Sequence, residues 1–196
     1  MELTTIKIIR QSSILPSHWT GGTTTQLVIF PENSSYLDQN FAFRLSTATI
    51  ETETSRFTQL HGVRRSLMVL QGSMKLEHKG HYSKEMKKFD RDTFCGDWET
   101  TSYGKVIDFN LMTRGSTNGF LESNCMDINT TIEEKIDKKY HSLMYYVLQG
   151  KIAIDCQEEK YMLENNELCW IQMGAKMPEI RLEAMDYTEM IKVFIL

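Results

Sequence analysis

Hydrophobic and polar residues alternate along much of the chain, which is typical of β-strands with one buried face. The clearest case is Phe41–Ile50, where Phe43 and Leu45 fall on one face and Arg44 and Ser46 on the other. Many short segments of this kind follow one another, and only Thr131–Tyr140 offers a weak helical pattern. Short strands at close spacing predict a β-sandwich or β-barrel rather than alternating strands and helices.

One four-residue string occurs twice, as Val69–Gly72 and as Val147–Gly150, 78 positions further along. In both copies a mixed polar and apolar run precedes the string, and alternating residues follow its glycine. This pattern is typical of a hairpin whose tight turn uses the positive φ that glycine adopts easily. The repeat predicts two copies of one all-β unit. A chance match in a chain rich in Leu, Val and Gly is the other interpretation.

The stretch Arg114–Asn124 is rich in Gly, Ser and Asn, and we interpret it as a linker. It divides the chain into an N-terminal barrel over residues 1–115 and a C-terminal barrel over residues 116–196. In the second barrel, Met190–Leu196 alternates strongly and is a candidate edge strand through which the chain forms a homodimer.

Two strands of the first half carry polar residues that are candidates for a binding site. Arg44 and Ser46 share a face with small residues, which leaves room for a ligand beside the guanidinium. Asp108 and Asn110 lie on one face of the strand Val106–Met112, among apolar neighbours. Each face has two interpretations: it lines a cavity, or it is solvated, and Arg44 has the further alternative of pairing with a nearby acid.

Composition excludes several classes of protein. At 196 residues and 41% hydrophobic, the chain has enough apolar side chains for a real core. The net charge is −4 without a basic stripe, so we expect no nucleic-acid partner. Four scattered cysteines form no metal or redox motif, which favours free thiols and a cytoplasmic location. No apolar run reaches 18 residues, so we expect no membrane association.

Six strings of the first half carry a specific pattern: Trp19–Leu27, Phe43–Ala48, Phe57–Arg65, Leu70–Gly72, Phe94–Asp97 and Gly104–Met112. Through these strings the first half of the chain resembles the HutD/Ves family of the cupin superfamily. Order and spacing of the family's motifs hold over about residues 15–115, and beyond them the resemblance rests mainly on Val147–Gly150. Two departures bear on a pocket, since Thr58 and His61 stand where the family usually has Ser and Pro.

The resemblance implies an all-β bicupin, made of two jelly-roll barrels of the RmlC-like cupin type, with very little helix. It also implies that the metal site of other cupins is lost. Arg65 takes the usual acidic position, Gln59 and Ile107 take two histidine positions, and only His61 remains. One imidazole does not hold a divalent ion that needs four to six donors. We therefore expect neither a metal nor another cofactor.

The function implied by the resemblance is binding of a small carboxylate metabolite of the urocanate or formylglutamate class. The role would be that of a regulator or sensor linked to histidine utilisation or stress. Charge-assisted hydrogen bonds from arginine suit a carboxylate. The candidate ligand-binding residues are Arg44, Ser46, His61, Arg64, Arg65, Asp108 and Asn110.

Two other functions stay open at this point. The chain is a candidate small-molecule enzyme, an isomerase or hydrolase in which His61 acts as general base, because histidine exchanges protons near neutral pH. Alternatively, it is a purely structural dimerisation module.

We predict that the protein purified without chelators carries no stoichiometric transition metal, because three of the four ligand positions hold neither a histidine nor a carboxylate. Elemental analysis of the purified protein checks this prediction. Stoichiometric zinc, iron or manganese that is lost in a His61→Ala variant would show that the metal site survives.

Overall fold

The computed structural model describes residues 3–196 and is almost entirely β. A 3-10 turn at Gln11–Ser13 interrupts the strands. In the N-terminal part of the chain the strands are β1 (Thr5–Arg10), β2 (Ser17–Trp19), β3 (Gly22–Phe30), β4 (Phe43–Ile50), β5 (Thr54–Arg56), β6 (Val63–His78), β7 (Tyr82–Lys87), β8 (Arg91–Cys95), β9 (Thr100–Tyr103) and β10 (Val106–Arg114). They are followed by β11 (Gly119–Met126), β12 (Thr131–Glu134), β13 (Ser142–Gln149), β14 (Ile152–Cys156), β15 (Glu159–Leu163), β16 (Glu167–Gln172), β17 (Ile180–Ala184) and β18 (Thr188–Ile195). Within residues 3–196, no helix is long and apolar enough to span a bilayer.

The first compact unit, Ile14–Gly119, is built around the 16-residue strand β6. The part of β6 before Gly72 pairs with β8 and β10, whereas the part after it pairs with β7 and β9. The central strand order is β2-β3-β4-β10-β6-β9-β5. One long strand thus takes part in pairings on both sides of its bend, as expected where a sheet curls into a barrel.

The second compact unit contains Phe120–Leu196 and residues 3–13. Its two sheets have the strand orders β1-β16-β13-β18-β11 and β12-β17-β14-β15. Apolar side chains from both sheets form its core. β1 pairs with β16 over six residues. This corrects the predicted domain boundaries, which placed the first strand in the first barrel.

Two further sequence interpretations are corrected by the sheet topology. β18 lies between β13 and β11, so it is not the free edge strand expected for Met190–Leu196. Alternation is equally compatible with an edge strand and an interior strand, and partners decide between them. The second half of the predicted linker forms β11, which begins at Gly119.

The repeated string does not form the predicted hairpin in either unit, because Gly72 lies inside the continuous strand β6 and Gly150 lies between β13 and β14, which belong to different sheets. The two glycines nevertheless share a backbone conformation. Gly72 and Gly150 have φ of 85° and 96°. A Cβ atom on Gly72 would lie 2.6 Å from the Lys105 carbonyl oxygen, and one on Gly150 would lie 2.2 Å from the Tyr187 carbonyl oxygen. In each unit the glycine therefore allows both a left-handed backbone and the close passage of a neighbouring strand.

We predict that Gly72→Ala destabilises the protein roughly twice as much as Gly80→Ala. Gly80 has a φ of 79° but open space around its Cβ position. Its substitution should therefore cost only the backbone strain of about 1 to 2 kcal/mol. Gly72→Ala adds a collision with backbone that only a strand shift relieves. Equal losses in urea unfolding would contradict the close approach.

Candidate functional site

Three neighbouring strands of the first unit bring polar side chains to one face. In the β4–β10 pair Ser46 lies opposite Asn110, and Arg44 lies opposite Met112. In the β10–β6 pair Met112 lies opposite Arg65. Residues directly opposite each other share a face, so these side chains lie on one side of the sheet. Asp108 is two residues from Asn110 on the same strand, so its side chain lies on this face as well. We call Arg44, Ser46, Arg65, Asp108 and Asn110 the arginine cluster.

The Arg44 guanidinium is held by two neighbours and covered by a third. Its Nε donates to Gln26 Oε1 at 2.8 Å, and its Nη1 donates to Ser46 Oγ at 3.1 Å. The Tyr36 ring lies 4.5 Å from the guanidinium carbon, within cation–π range. Burial lowers the pKa of Arg44. Arg44 is therefore fixed in place, and Tyr36 covers it.

Arg65 lies against two aromatic rings. Its guanidinium carbon is 4.6 Å from the Phe57 ring centre and 5.6 Å from that of Phe94. Burial lowers the pKa of Arg65 to about 10, so the side chain remains a cation at neutral pH. The Nε atom of Arg65 is buried and has no hydrogen-bond partner among the described residues. This donor is therefore available to an acceptor from outside the chain.

Asp108 and Asn110 each present an unused acceptor. Burial raises the pKa of Asp108 to about 7, although the charge of Arg65 acts in the opposite direction. In the described part of the chain, Asp108 Oδ1 and Asn110 Oδ1 have no hydrogen-bond partner. The alternative that Arg44 pairs with a nearby acid is not realised, because its hydrogen bonds go to Gln26 and Ser46.

Two of the residues proposed from the sequence lie outside the cluster. Arg64 lies on the face of β6 opposite that of Arg65 and is exposed. Its Nη1 donates to Asn118 Oδ1 at 3.0 Å. The His61 side chain is 87% exposed, and its Nδ1 lies 2.5 Å from Asp97 Oδ1. This hydrogen bond lowers the pKa of Asp97. His61 therefore belongs to a surface turn.

Sequence reasoning missed four residues that contact the cluster: Gln26, Tyr36, Phe57 and Phe94. Gln26 lies opposite Ser46 in the β3–β4 pair, so a strand register would have revealed it. Phe57 and Phe94 were recognised only as motif residues. Tyr36 lies in the irregular segment between β3 and β4, where no periodic pattern indicates which side chains point inward.

A second buried polar group in the same unit is internally satisfied. His78 is fully buried, with Nδ1 2.8 Å from Thr100 Oγ1 and Nε2 3.1 Å from Asp92 Oδ2. The Tyr82 hydroxyl donates to the Asp92 carboxylate, and burial followed by this bond raises the pKa of Tyr82 to about 12. Satisfied networks of this kind rigidify a fold. The arginine cluster differs because it retains unused donors and acceptors.

We predict that Asp108→Asn stabilises the protein at pH 8 but hardly at pH 4. The folded carboxyl has a pKa of about 7 against 3.8 for the free group, so the folded state holds its proton more tightly. The parent protein therefore loses stability as the pH rises from about 4 to 7, and the amide variant escapes this loss. The difference between the two pH values should approach about 2 to 4 kcal/mol.

Denaturant unfolding across this pH range measures the effect. Asp97→Asn is the control of opposite sign, because its hydrogen bond from His61 lowers the pKa of Asp97. The Asp97 contribution should be present at neutral pH and lost on acidification. If the difference in unfolding free energy between Asp108→Asn and the parent protein did not change with pH, the burial of an ionisable carboxyl would be contradicted.

Comparison with solved structures shows which fold this is. A conserved protein of unknown function from Pseudomonas aeruginosa matches with a TM-score of 0.84 and 22% identity, over 97% of this chain and 98% of that one. HutD from Pseudomonas fluorescens matches with 0.72 and 19%, over 98% and 100%. YhhW from Escherichia coli matches with 0.73 and 9%, over 97% of both chains. The expected all-β cupin fold is confirmed.

The family follows from a match to the sequence rather than to the fold. None of the curated proteins compared with the chain matches it. The family model for HutD, however, matches residues 11–191, which is most of the chain and includes the whole arginine cluster. The resemblance seen in the strings of the first half is thereby confirmed, and the chain belongs to the HutD family.

Proposed function

We propose that the first unit binds a small carboxylate metabolite in the arginine cluster and that the protein acts as a regulator or sensor. The observation that carries this proposal is an excess of buried positive charge. Arg44 and Arg65 are 6% and 7% exposed, and they influence each other electrostatically. Two buried cations of like charge require a compensating anion.

Asp108 does not supply enough negative charge. A carboxyl with a pKa of about 7 is only partly ionised at neutral pH, and even full ionisation balances one guanidinium. In residues 3–196 no carboxylate oxygen lies within 4 Å of a nitrogen of Arg44 or Arg65. A ligand carboxylate would complete the charge balance through charge-assisted hydrogen bonds.

The unused atoms also restrict the ligand. Arg65 Nε needs an acceptor, which a carboxylate oxygen provides. Asn110 Oδ1 and ionised Asp108 Oδ1 need donors, which a bare carboxylate lacks. The preferred ligand therefore combines a carboxylate with an N–H or O–H group. Urocanate has an imidazole N–H and formylglutamate an amide N–H, so both acids of histidine utilisation meet this requirement.

A ligand that enters the cluster has to pass Tyr36, which covers Arg44. Tyr36 is partly exposed and lies in the segment between β3 and β4, whereas the five cluster residues are buried. The strands below it are paired along the whole of β10, with one irregularity between Ile107 and Asp108 in the β10–β6 pair. Entry of a ligand therefore involves displacement of Tyr36 and its segment rather than separation of the strands.

The positions of the other candidates favour binding over catalysis. His61, the proposed general base, is exposed and hydrogen-bonded to Asp97, away from the cluster. The cluster itself offers cations that fix an anion and a carboxyl that exchanges a proton near pH 7. These groups suit recognition of an acid, and a regulatory role needs no further chemistry.

We predict that a thermal-shift screen will identify stabilising acids. Urocanate and formylglutamate should raise the melting temperature more than glutamate, because the N–H donors of glutamate belong to an ammonium that the two guanidinium ions repel. Lactate should exceed propionate because only lactate carries an O–H donor. A ligand at 100 times its Kd adds about 2.7 kcal/mol. Chromatography should return the ligand unchanged. No stabilisation by any acid would contradict the binding proposal, and a converted ligand would favour an enzyme.

We predict that variants of adjacent arginines differ sharply in affinity. Arg65→Ala and Arg44→Ala should each weaken binding of the best acid by about 2 kcal/mol or more, whereas Arg64→Ala, on the opposite face of β6, should leave it unchanged. Arg44→Lys keeps the charge but loses the planar fork, so it should cost about 1 to 3 kcal/mol. Asn110→Ala should cost less.

Calorimetry on folded variants measures these affinities. Unchanged binding by Arg44→Ala and Arg65→Ala would place the ligand elsewhere, and a loss in Arg64→Ala would point to the outer face of the sheet.

A further inference from the structure

A second polar group lies inside the C-terminal unit, within an otherwise apolar core. Three neighbouring strands present its first side, because Tyr145 on β13 lies opposite Lys192 on β18 and opposite Cys169 on β16. The three residues therefore form one row across the sheet. All three are buried, with exposed fractions of 7% or less.

The other sheet of this unit presents a matching row. Ile180 on β17 lies opposite Glu134 on β12 and opposite Cys156 on β14. The two rows meet, because the Lys192 ammonium forms an ion pair with Glu134 Oε1. The side chains of this pair are only 9% and 12% exposed. A layer that contains one buried ion pair thus crosses the core of the unit.

Tyr145 points into this layer without a partner. Its side chain is fully buried, and its hydroxyl has no hydrogen-bond partner among the described residues. Burial raises the pKa of Tyr145 well above its usual range, and the charge of Glu134 adds to the shift. The group is therefore a neutral hydroxyl that can donate. Buried polar atoms are seldom left unsatisfied in native proteins, so an unused donor on the residue opposite Lys192 indicates a place for an acceptor.

The repeat gives this layer a counterpart in the first unit. Val69 lies opposite Asp108, and the equivalent Val147 lies opposite Met190. Two residues further along β10 and β18, Asn110 and Lys192 occupy corresponding positions. Lys192, which pairs with Glu134, thus occupies the position that corresponds to Asn110, whose Oδ1 atom has no partner in the first unit.

Glu134 reaches the layer from the least anchored strand of its sheet. β12 has four residues, lies at the edge of the order β12-β17-β14-β15 and pairs only with β17. Its residues are alternately exposed and half-buried, and Ile132 is its apolar residue that packs on the core. Short edge strands of this kind open locally at low free-energy cost.

We propose that Lys192 and Tyr145 form a second acid-binding site that the chain closes with its own Glu134, and that takes a small monocarboxylate when Glu134 withdraws. The Lys192 ammonium supplies the charge and the Tyr145 hydroxyl supplies a directed donor. The Glu134 carboxylate acts as an internal competitor, so affinity in the parent protein is low. A small acid such as acetate or propionate has the size and charge of the group that it replaces.

Removal of the competitor tests the site. Glu134→Ala leaves the buried ammonium without a partner and should lower the melting temperature. Acetate should then restore it, with a rise of roughly 3 °C when its concentration reaches about ten times its Kd. Acetamide, which has the same shape but no charge, should not. Glu133→Ala is the matched control, since Glu133 is the exposed neighbour on the same strand.

Further variants separate this site from the arginine cluster. Glu134→Ala with Arg44→Ala should retain the acetate response, whereas Glu134→Ala with Lys192→Met should lose it. If Glu134→Ala does not fold, Glu134→Gln keeps the volume and should respond to acetate more strongly than the parent protein. An acetate response no larger than that of Glu133→Ala in the folded variant would overturn the proposal, whatever the first unit binds.

Discussion

The constraint on which the site depends is the burial of two guanidinium ions with at most one carboxylate to balance them. Arg44 and Arg65 lie in the interior of the first unit. Burial raises the pKa of Asp108 to about 7, so its carboxyl is only partly ionised at neutral pH. Burying unbalanced charge costs free energy, and protein interiors normally avoid it. Partial compensation comes from the Phe57 and Tyr36 rings and from the oxygens of Gln26 and Ser46. The remaining imbalance is the physical basis for anion binding.

The scaffold keeps the cations in place without neutralising them. β4, β10 and β6 are paired along their lengths, so the cluster is carried by regular strands rather than by loops. The two units differ in how their buried cations are balanced. The C-terminal unit balances Lys192 with its own Glu134, whereas the N-terminal unit leaves its arginines unbalanced. Internal compensation closes a site, and its absence keeps a site available to an outside acid.

Most of the fold, and about half of the residues at the site, could be predicted from the sequence. Alternation predicted the strands correctly, because the two-residue side-chain period is a local property. The hairpins predicted from the repeated string were wrong, because strand pairing depends on long-range contacts. Alternation also placed Arg44, Ser46, Asp108 and Asn110 on their faces. The role of Arg65 required the alternation within β6, and adjacency made Arg64 look equally suitable. The pairing of β1 with β16 and the interior position of β18 depend on long-range contacts, which no local pattern encodes.

The position of a bound acid tests the central claim most directly. A crystal structure of the protein with the most stabilising acid should show its carboxylate between Arg44 and Arg65, within hydrogen-bond distance of Arg65 Nε, with Tyr36 displaced. A donor group of the ligand should face Asn110 Oδ1. An acid bound on the outer face beside Arg64, or in the turn beside His61, with the arginine cluster unchanged, would contradict the account.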